Sequence, residues 1–143
     1  MAITTAMCNS FKQELLGGVH DLDTDSLKVA LIEASPSGTY GAGTTNYSDV
    51  SGEEAVGANY TAGGQVLDSA VITLTGSTAI VDFADEIFAN LTISADGAII
   101  YNASQGNKAI AVFDFGATVT STSGDFTVVF PTADASNAVI RIS

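Results

Sequence analysis

Tryptophan is absent from these 143 residues, cysteine and histidine occur once each, proline occurs twice, and four basic side chains face sixteen acidic ones. Each shortage removes a class of explanation. The lone Cys8 can form no intrachain disulfide, so the fold stands on its core. The bases Lys12, Lys28, Lys108 and Arg141 are scattered, and the formal net charge is −12. Without a basic patch there is no footprint for counterion-release binding to phosphate, and direct nucleic-acid binding is not expected. No window approaches the roughly 18 apolar residues of a spanning helix, so no membrane contact is expected. The first ten residues have neither the basic n-region nor the long apolar h-region of a secretory signal. The expectation is a chain made in a host cytoplasm that stays soluble until it assembles.

Chemistry-bearing motifs are equally scarce. Gly-x-Ser-x-Gly, a phosphate loop and paired metal-binding cysteines or histidines do not occur. His20 stands beside Asp21 without a nucleophile motif, in a polar stretch where a solvent-exposed histidine is the expected reading over a catalytic base. Asp21, Asp23 and Asp25 resemble the first half of a calcium loop. However, Ser26 stands where that loop wants glycine and Ile32 where it wants a carboxylate, so a solvated acidic turn is expected instead. Asp85-Glu86 reads the same way. The Asn-x-Ser/Thr sequons at Asn46, Asn59, Asn90 and Asn102 are what a chain this rich in Thr and Ser produces by chance. The resulting expectation is no enzyme, no catalytic residue and no cofactor.

What the chain does have is β composition: 46% hydrophobic residues and fourteen glycines, enough apolar content in one domain spanning 1–143 to bury a core unaided. Its organising stretch is 98–116. Two runs rich in Ile, Val, Phe and Tyr, Ala98 to Tyr101 and Ala109 to Phe115, flank a polar reversal at Asn102, Ser104, Gly106 and Asn107. This pattern predicts a hairpin with a loop longer than two residues. Both faces of its second arm are apolar as far as Asp114, as for a strand covered on both sides. Upstream, Asn9 or Ser10 is placed to cap a helix, with Ser10 and Gln13 at capping-box spacing, Cys8, Phe11 and Leu15 on one face, and Gly17-Gly18 at its end. Leu27 to Glu33 predicts a strand, Glu54 to Tyr60 a short edge strand, and Gln65 to Leu74 with Thr78 to Phe83 a second hairpin. Ser121 to Asp125 predicts a turn into a strand at Phe126 to Phe130, and Asn137 to Ile142 closes the chain. Strands at this spacing argue for an all-β fold, an antiparallel β-sandwich or jelly-roll-like barrel with one short N-terminal helix.

The run 35–48 has no apolar period and many turn formers. Long loops in small domains usually contact something, so Tyr40 and Tyr47 are candidate partner anchors. The competing reading folds both tyrosines back on their own domain. Phe11, in the N-terminal segment 1–18, is the third candidate contact.

The segments Val56 to Gly64, Ala98 to Ser104, Ala111 to Gly116 and Gly124 to Pro131, with Phe11 to Gly18 and Leu27 to Ala34, together resemble a family of small structural proteins of tailed bacteriophages. The resemblance runs over residues 10–142. Members often carry a tryptophan before the Ala-x-x-Tyr-Asn segment, a region where this chain has Ile87 and Phe88. The resemblance implies a virion component without catalytic residues, most similar to capsid decoration or cement proteins that bind the major capsid protein on the capsid surface. A homo-oligomer is expected, with a trimer at lattice three-fold positions as the natural form. A tail, neck or filament subunit is the alternative, with the N-terminal segment and the last strand as assembly edges. A carbohydrate-binding module ranks third, because it would want exposed aromatics in a groove.

Overall fold

A computed structural model describes residues 2–68 and 70–143. In chain order the elements are β1 (Ala2–Ile3), β2 (Ala6–Met7), α1 (Asn9–Leu16), β3 (Leu27–Glu33), β4 (Thr39–Tyr40), β5 (Gln65–Val66), β6 (Val71–Thr75), β7 (Thr78–Asp82), β8 (Glu86–Asn102), β9 (Lys108–Val128) and β10 (Ile140–Ile142). They form an antiparallel five-stranded sheet in the order β2-β9-β8-β3-β5, an antiparallel three-stranded sheet β10-β7-β6, and a parallel pair β1-β4. The fold is all-β with one short helix and is sandwich-like. No barrel closes among the described residues, so the jelly-roll-like barrel is set aside.

The hairpin of β8 and β9 is the spine. Its registers run from Asn102↔Lys108 near the turn to Glu86↔Val128 at the open end. Near the turn, Ala98 to Asn102 and Ala109 to Val112 are buried at every position, as are Leu27 and Val29 to Ile32 on β3. Strand side chains alternate between faces, so burial at consecutive positions means that both faces of this sheet are covered. Neighbouring residues identify the covers. Tyr101 stacks on Tyr47 of the 34–64 connection, whereas Asn102 bonds His20, which packs against Phe11 of α1. Helix and long connection thus lie on opposite faces of the central hairpin.

Several expectations are corrected by what the elements bond to. The helix starts where expected, but Cys8 takes the N-cap position without a side-chain cap bond, and Ser10 Oγ is buried with no partner. Backbone docking sets this end instead: the Cys8 N–H donates to Ile110 O at 2.9 Å and the Asn9 N–H to Ala42 O at 2.8 Å. Cys8 and Phe11 are buried and Leu15 half-buried, as the periodicity requires. The residues before the helix are woven in through β1 and β2, which pair with β4 and β9. Glu54 to Tyr60 makes only two isolated bridges, Glu54↔Ile32 and Ala58↔Thr92. The run 65–74 splits, β5 joining one sheet and β6 the other.

Ser121 to Asp125 is not a turn, because β9 continues through it. Between Gly97↔Asp114 and Ala95↔Val119 it carries extra residues that β8 lacks, and left-handed Asn90 (φ 51°) and Ser123 (φ 48°) sit at further shifts of register. Such bulges bend a long hairpin and let the polar Ser, Gly and Asp residues stay within the strand. Along this bulged stretch β8 keeps Phe88, Leu91 and Ile93 inward, alternating except for the extra residue at Asn90.

Gly64 marks the tightest approach. Its φ is +77°, and a Cβ there would lie 1.8 Å from Val29 O on the outer edge of β3, whereas Gly76, in the β6-β7 turn at φ +62°, has open space around it. Gly64→Ala should lower unfolding stability in urea by about 3 kcal/mol or more. Gly76→Ala should cost only about 1 kcal/mol, the strain of the left-handed backbone alone. Equal losses would show that the connection does not press on β3 as described.

Candidate interaction surface

Two adjacent carboxylates gather the tyrosines. Glu54 is buried, and its Oε1 accepts from the Tyr60 hydroxyl at 2.7 Å and the Gly63 N–H at 2.7 Å, while Oε2 accepts from the Tyr47 hydroxyl. No Lys or Arg pairs with it among the described residues. Three converging donors stand in for lost hydration, which a buried carboxylate requires. The Tyr60 oxygen in turn accepts from the Leu31 N–H at 2.9 Å, and the Ala55 N–H donates to Leu31 O at 2.9 Å, so the outer edge of β3 is satisfied beyond the reach of β5. Tyr101 donates to Gly63 O at 2.6 Å. Glu53 accepts from the Tyr40 hydroxyl at 2.7 Å, from the Gly38 N–H at 2.9 Å and from the Ser37 N–H at 2.8 Å. All four tyrosine hydroxyls are therefore spent on tying the 34–64 connection to itself and to the sheet.

The electrostatics follow from this wiring. Burial, then the neighbouring Glu53, pushes the Tyr40 hydroxyl up to about 12. Burial and the Glu54 charge do the same for Tyr101, also to about 12. Tyr47 and Tyr60 are raised by burial first and by their bonds to Glu54 second. The bonds from Ser37, Tyr40 and Gly38 hold Glu53 down at about 2. On the opposite face, burial raises the Cys8 thiol to about 12, which makes it inert packing rather than a nucleophile.

His20 is 7% exposed, which corrects the expectation of a solvent-exposed side chain. Its ring lies 5.0 Å from that of Phe11, its Nε2 is 3.0 Å from Glu14 Oε1, and its Nδ1 is 3.0 Å from Asn102 Nδ2. The carboxylate can only accept and the amide nitrogen only donate, so these partners assign the proton to Nε2. Asn102 also donates to Asp25 Oδ2 at 2.7 Å and accepts from the Ser104 N–H. The acidic turn is closed by its own side chains: Asp21 Oδ1 accepts from the Asp23 and Thr24 N–H groups, and Asp25 Oδ2 from the Asp21 N–H. The bond from Asn102, then that from Asp21, holds Asp25 below the usual carboxylate range. No group of three or more His, Cys, Asp or Glu is arranged to hold a metal among the described residues.

The three expected contact residues therefore turn inward. Phe11 is fully buried, Tyr40 is 8% exposed, and Tyr47 is half-buried with its hydroxyl on Glu54. The reading in which the tyrosines fold back on their own domain is the one observed, because each hydroxyl finds a carboxylate a few residues away. The seven phenylalanines and four tyrosines are all buried or half-buried. The loop instead presents Val56, 91% exposed, beside a shallow depression lined by Thr92, Ser94, Thr120 and Thr122 on the bulged arms of β8 and β9. An exposed valine carries no motif, so the sequence did not single it out.

Glu54→Gln puts an amide NH₂ against one of three donors and should cost about 2 kcal/mol in urea unfolding, with a smaller loss for the surface carboxylate Glu53. A loss no larger than that of Glu53→Gln would refute the anchoring role of Glu54. The pH profile is a second test. Tyrosines raised from 10.0 to about 12 contribute stability that is complete below pH 10 and lost as pH climbs through 12. Glu53, lowered from 4.5 to about 2, contributes stability that is present above 4.5 and lost as pH falls toward 2. Between these limits neither the tyrosines nor Glu53 shifts the urea midpoint, and tyrosinate absorbance should lag that of the unfolded chain. Ionisation of the folded tyrosines near pH 10 would contradict the wiring.

No protein-family model matches the chain, and no curated protein or solved structure matches it.

Proposed function

We propose that this chain is a bacteriophage virion structural protein of the capsid decoration type, which binds the outside of a major capsid lattice and braces neighbouring capsomers. The observation that carries the reading is the pinned 34–64 connection. A connection this long with little regular structure is uncommon in a small domain unless it serves recognition. Here the bonds to Glu53 and Glu54 fix its shape in advance. A preformed surface avoids the ordering entropy that a flexible loop loses on docking.

In this reading Phe11, Tyr40 and Tyr47 act as internal scaffolding, and contact passes to Val56 and the threonine-lined depression beside it. The net charge of −12 suits docking on basic lattice patches and keeps free copies apart before assembly. Many modest contacts, repeated over a lattice, stabilise capsomer junctions by mass action. A tail, neck or filament subunit is the second reading, favoured by the three-stranded sheet, whose β6 and β10 are both free edges. The N-terminal segment keeps a place in that alternative, since β1 and β2 each pair on one side only and β2 is an edge strand of the five-stranded sheet.

The test is to mix the purified chain with particles that lack it and to map the complex by cryo-electron microscopy. Density is expected on the outer capsid surface, bridging capsomers. Val56→Glu should weaken association by about tenfold or more, equivalent to about 1.4 kcal/mol, with the urea midpoint unchanged. Density confined to a tail or a free filament would overturn the decoration reading, and unchanged association of the variant would overturn the contact assignment.

A further inference from the structure

One face of the three-stranded sheet carries no polar side chain. Register aligns Ile72 with Val81 and Ile140, and Leu74 with Ala79 and Ile142, and residues two apart on a strand share a face. Val81 and Ile140 are buried against the body of the domain, but Ile72, Leu74 and Ile142 stay 52%, 71% and 50% exposed. Between this face and α1 runs an apolar crevice of about 400 Å³, bordered by Asp21. Past Leu15 and Ile142, which line both, a second crevice of about 450 Å³ continues to Lys12 and Arg141, beside Leu16 at 93% exposure.

Charge along this groove is polarised. Residues 70–81 carry no charge, although the chain has a net −12. A carboxylate borders one crevice and two of the chain's four cations border the other. Neither Lys12 nor Arg141 makes an ion pair among the described residues.

We propose that this face is an interface with a second copy of the chain, related by a two-fold axis. Reversing the groove onto itself sets Asp21 of each copy over Lys12 and Arg141 of the other, while the uncharged hairpin keeps the remaining acids of the two copies apart. A single apolar face meets its own equivalent only through such an isologous contact, whereas a cyclic trimer joins two different patches. The pairing does not rest on the virion reading.

Sedimentation equilibrium of the full chain tests the pairing. A concentration-dependent dimer is expected. Leu74→Glu or Ile142→Glu should weaken it by about 100-fold, because each buries an unpaired charge at the contact. Both side chains are exposed, so the folded state should keep its urea midpoint. Val129→Glu, at a 71% exposed valine outside this face, should leave the dimer intact. Asp21→Lys, and separately the double change Lys12→Glu with Arg141→Glu, should each weaken self-association. Mixing the two variants should restore a dimer, since both charge contacts then match. A wild-type chain that stays monomeric to about 1 mM, a trimer, a dimer indifferent to Leu74→Glu, or charge variants that fail to pair on mixing would each overturn the proposal.

Discussion

The buried Glu54 carboxylate is the constraint on which the rest of the structure depends. No Lys or Arg pairs with it among the described residues, and its negative charge is held by two tyrosine hydroxyls and one backbone amide. Satisfying it draws Tyr47, Tyr60 and Gly63 to a single point, and that point lies against β3 and Tyr101. The Tyr60 hydroxyl then caps the Leu31 amide, which would otherwise be an open sheet edge. The same convergence that settles the charge therefore shapes the long connection, covers one face of the central hairpin and closes one side of the five-stranded sheet.

Local pattern made part of this legible. Apolar periodicity located β3 from Leu27 to Glu33, the helix face of Cys8, Phe11 and Leu15, and the hairpin around residues 102–107, because the forces that set those elements act between residues close in sequence. The rest depends on partners far apart. His20 looks like a polar connector residue until Asn102, eighty-two positions later, takes its Nδ1. Tyr40 and Tyr47 look like free loop aromatics, and nothing local reveals that Glu53 and Glu54 will meet their hydroxyls. Ser121 to Asp125 has turn composition, yet the same residue types serve a bulged strand when the partner strand is already in place. The surface around Val56 and the groove beside α1 emerge only once the sheets are assembled, for they join residues from three or more elements.

The charge distribution links fold to assembly. Sixteen acids keep most of the surface mutually repulsive, and the stretch 70–81 is one of those that carry no charge. Apolar side chains that the core does not use lie on that stretch and on its neighbours β10 and α1. The preformed loop and the apolar sheet face come from different sheets, so contact with a lattice and contact with another copy need not compete for the same residues.

The strand order also governs how the chain is made. β2 lies at the edge of a sheet whose next member is β9, and Ala6 has to wait for Val112. β3 likewise waits for β8, and β7 for β10 at the far end of the chain. During synthesis β1 can meet β4, β3 can meet β5 and β6 can meet β7 within the first hundred residues, but β2, one side of β8 and one side of β7 wait for β9 and β10. The five-stranded sheet is accordingly completed late, through contacts distant in sequence, the topology that slows folding. Until β8 is released from the ribosome the apolar strand 27–33 has only β5 to pair with, and until β9 follows β8 keeps an open edge, so in that interval the nascent chain needs protection from its neighbours on the same message.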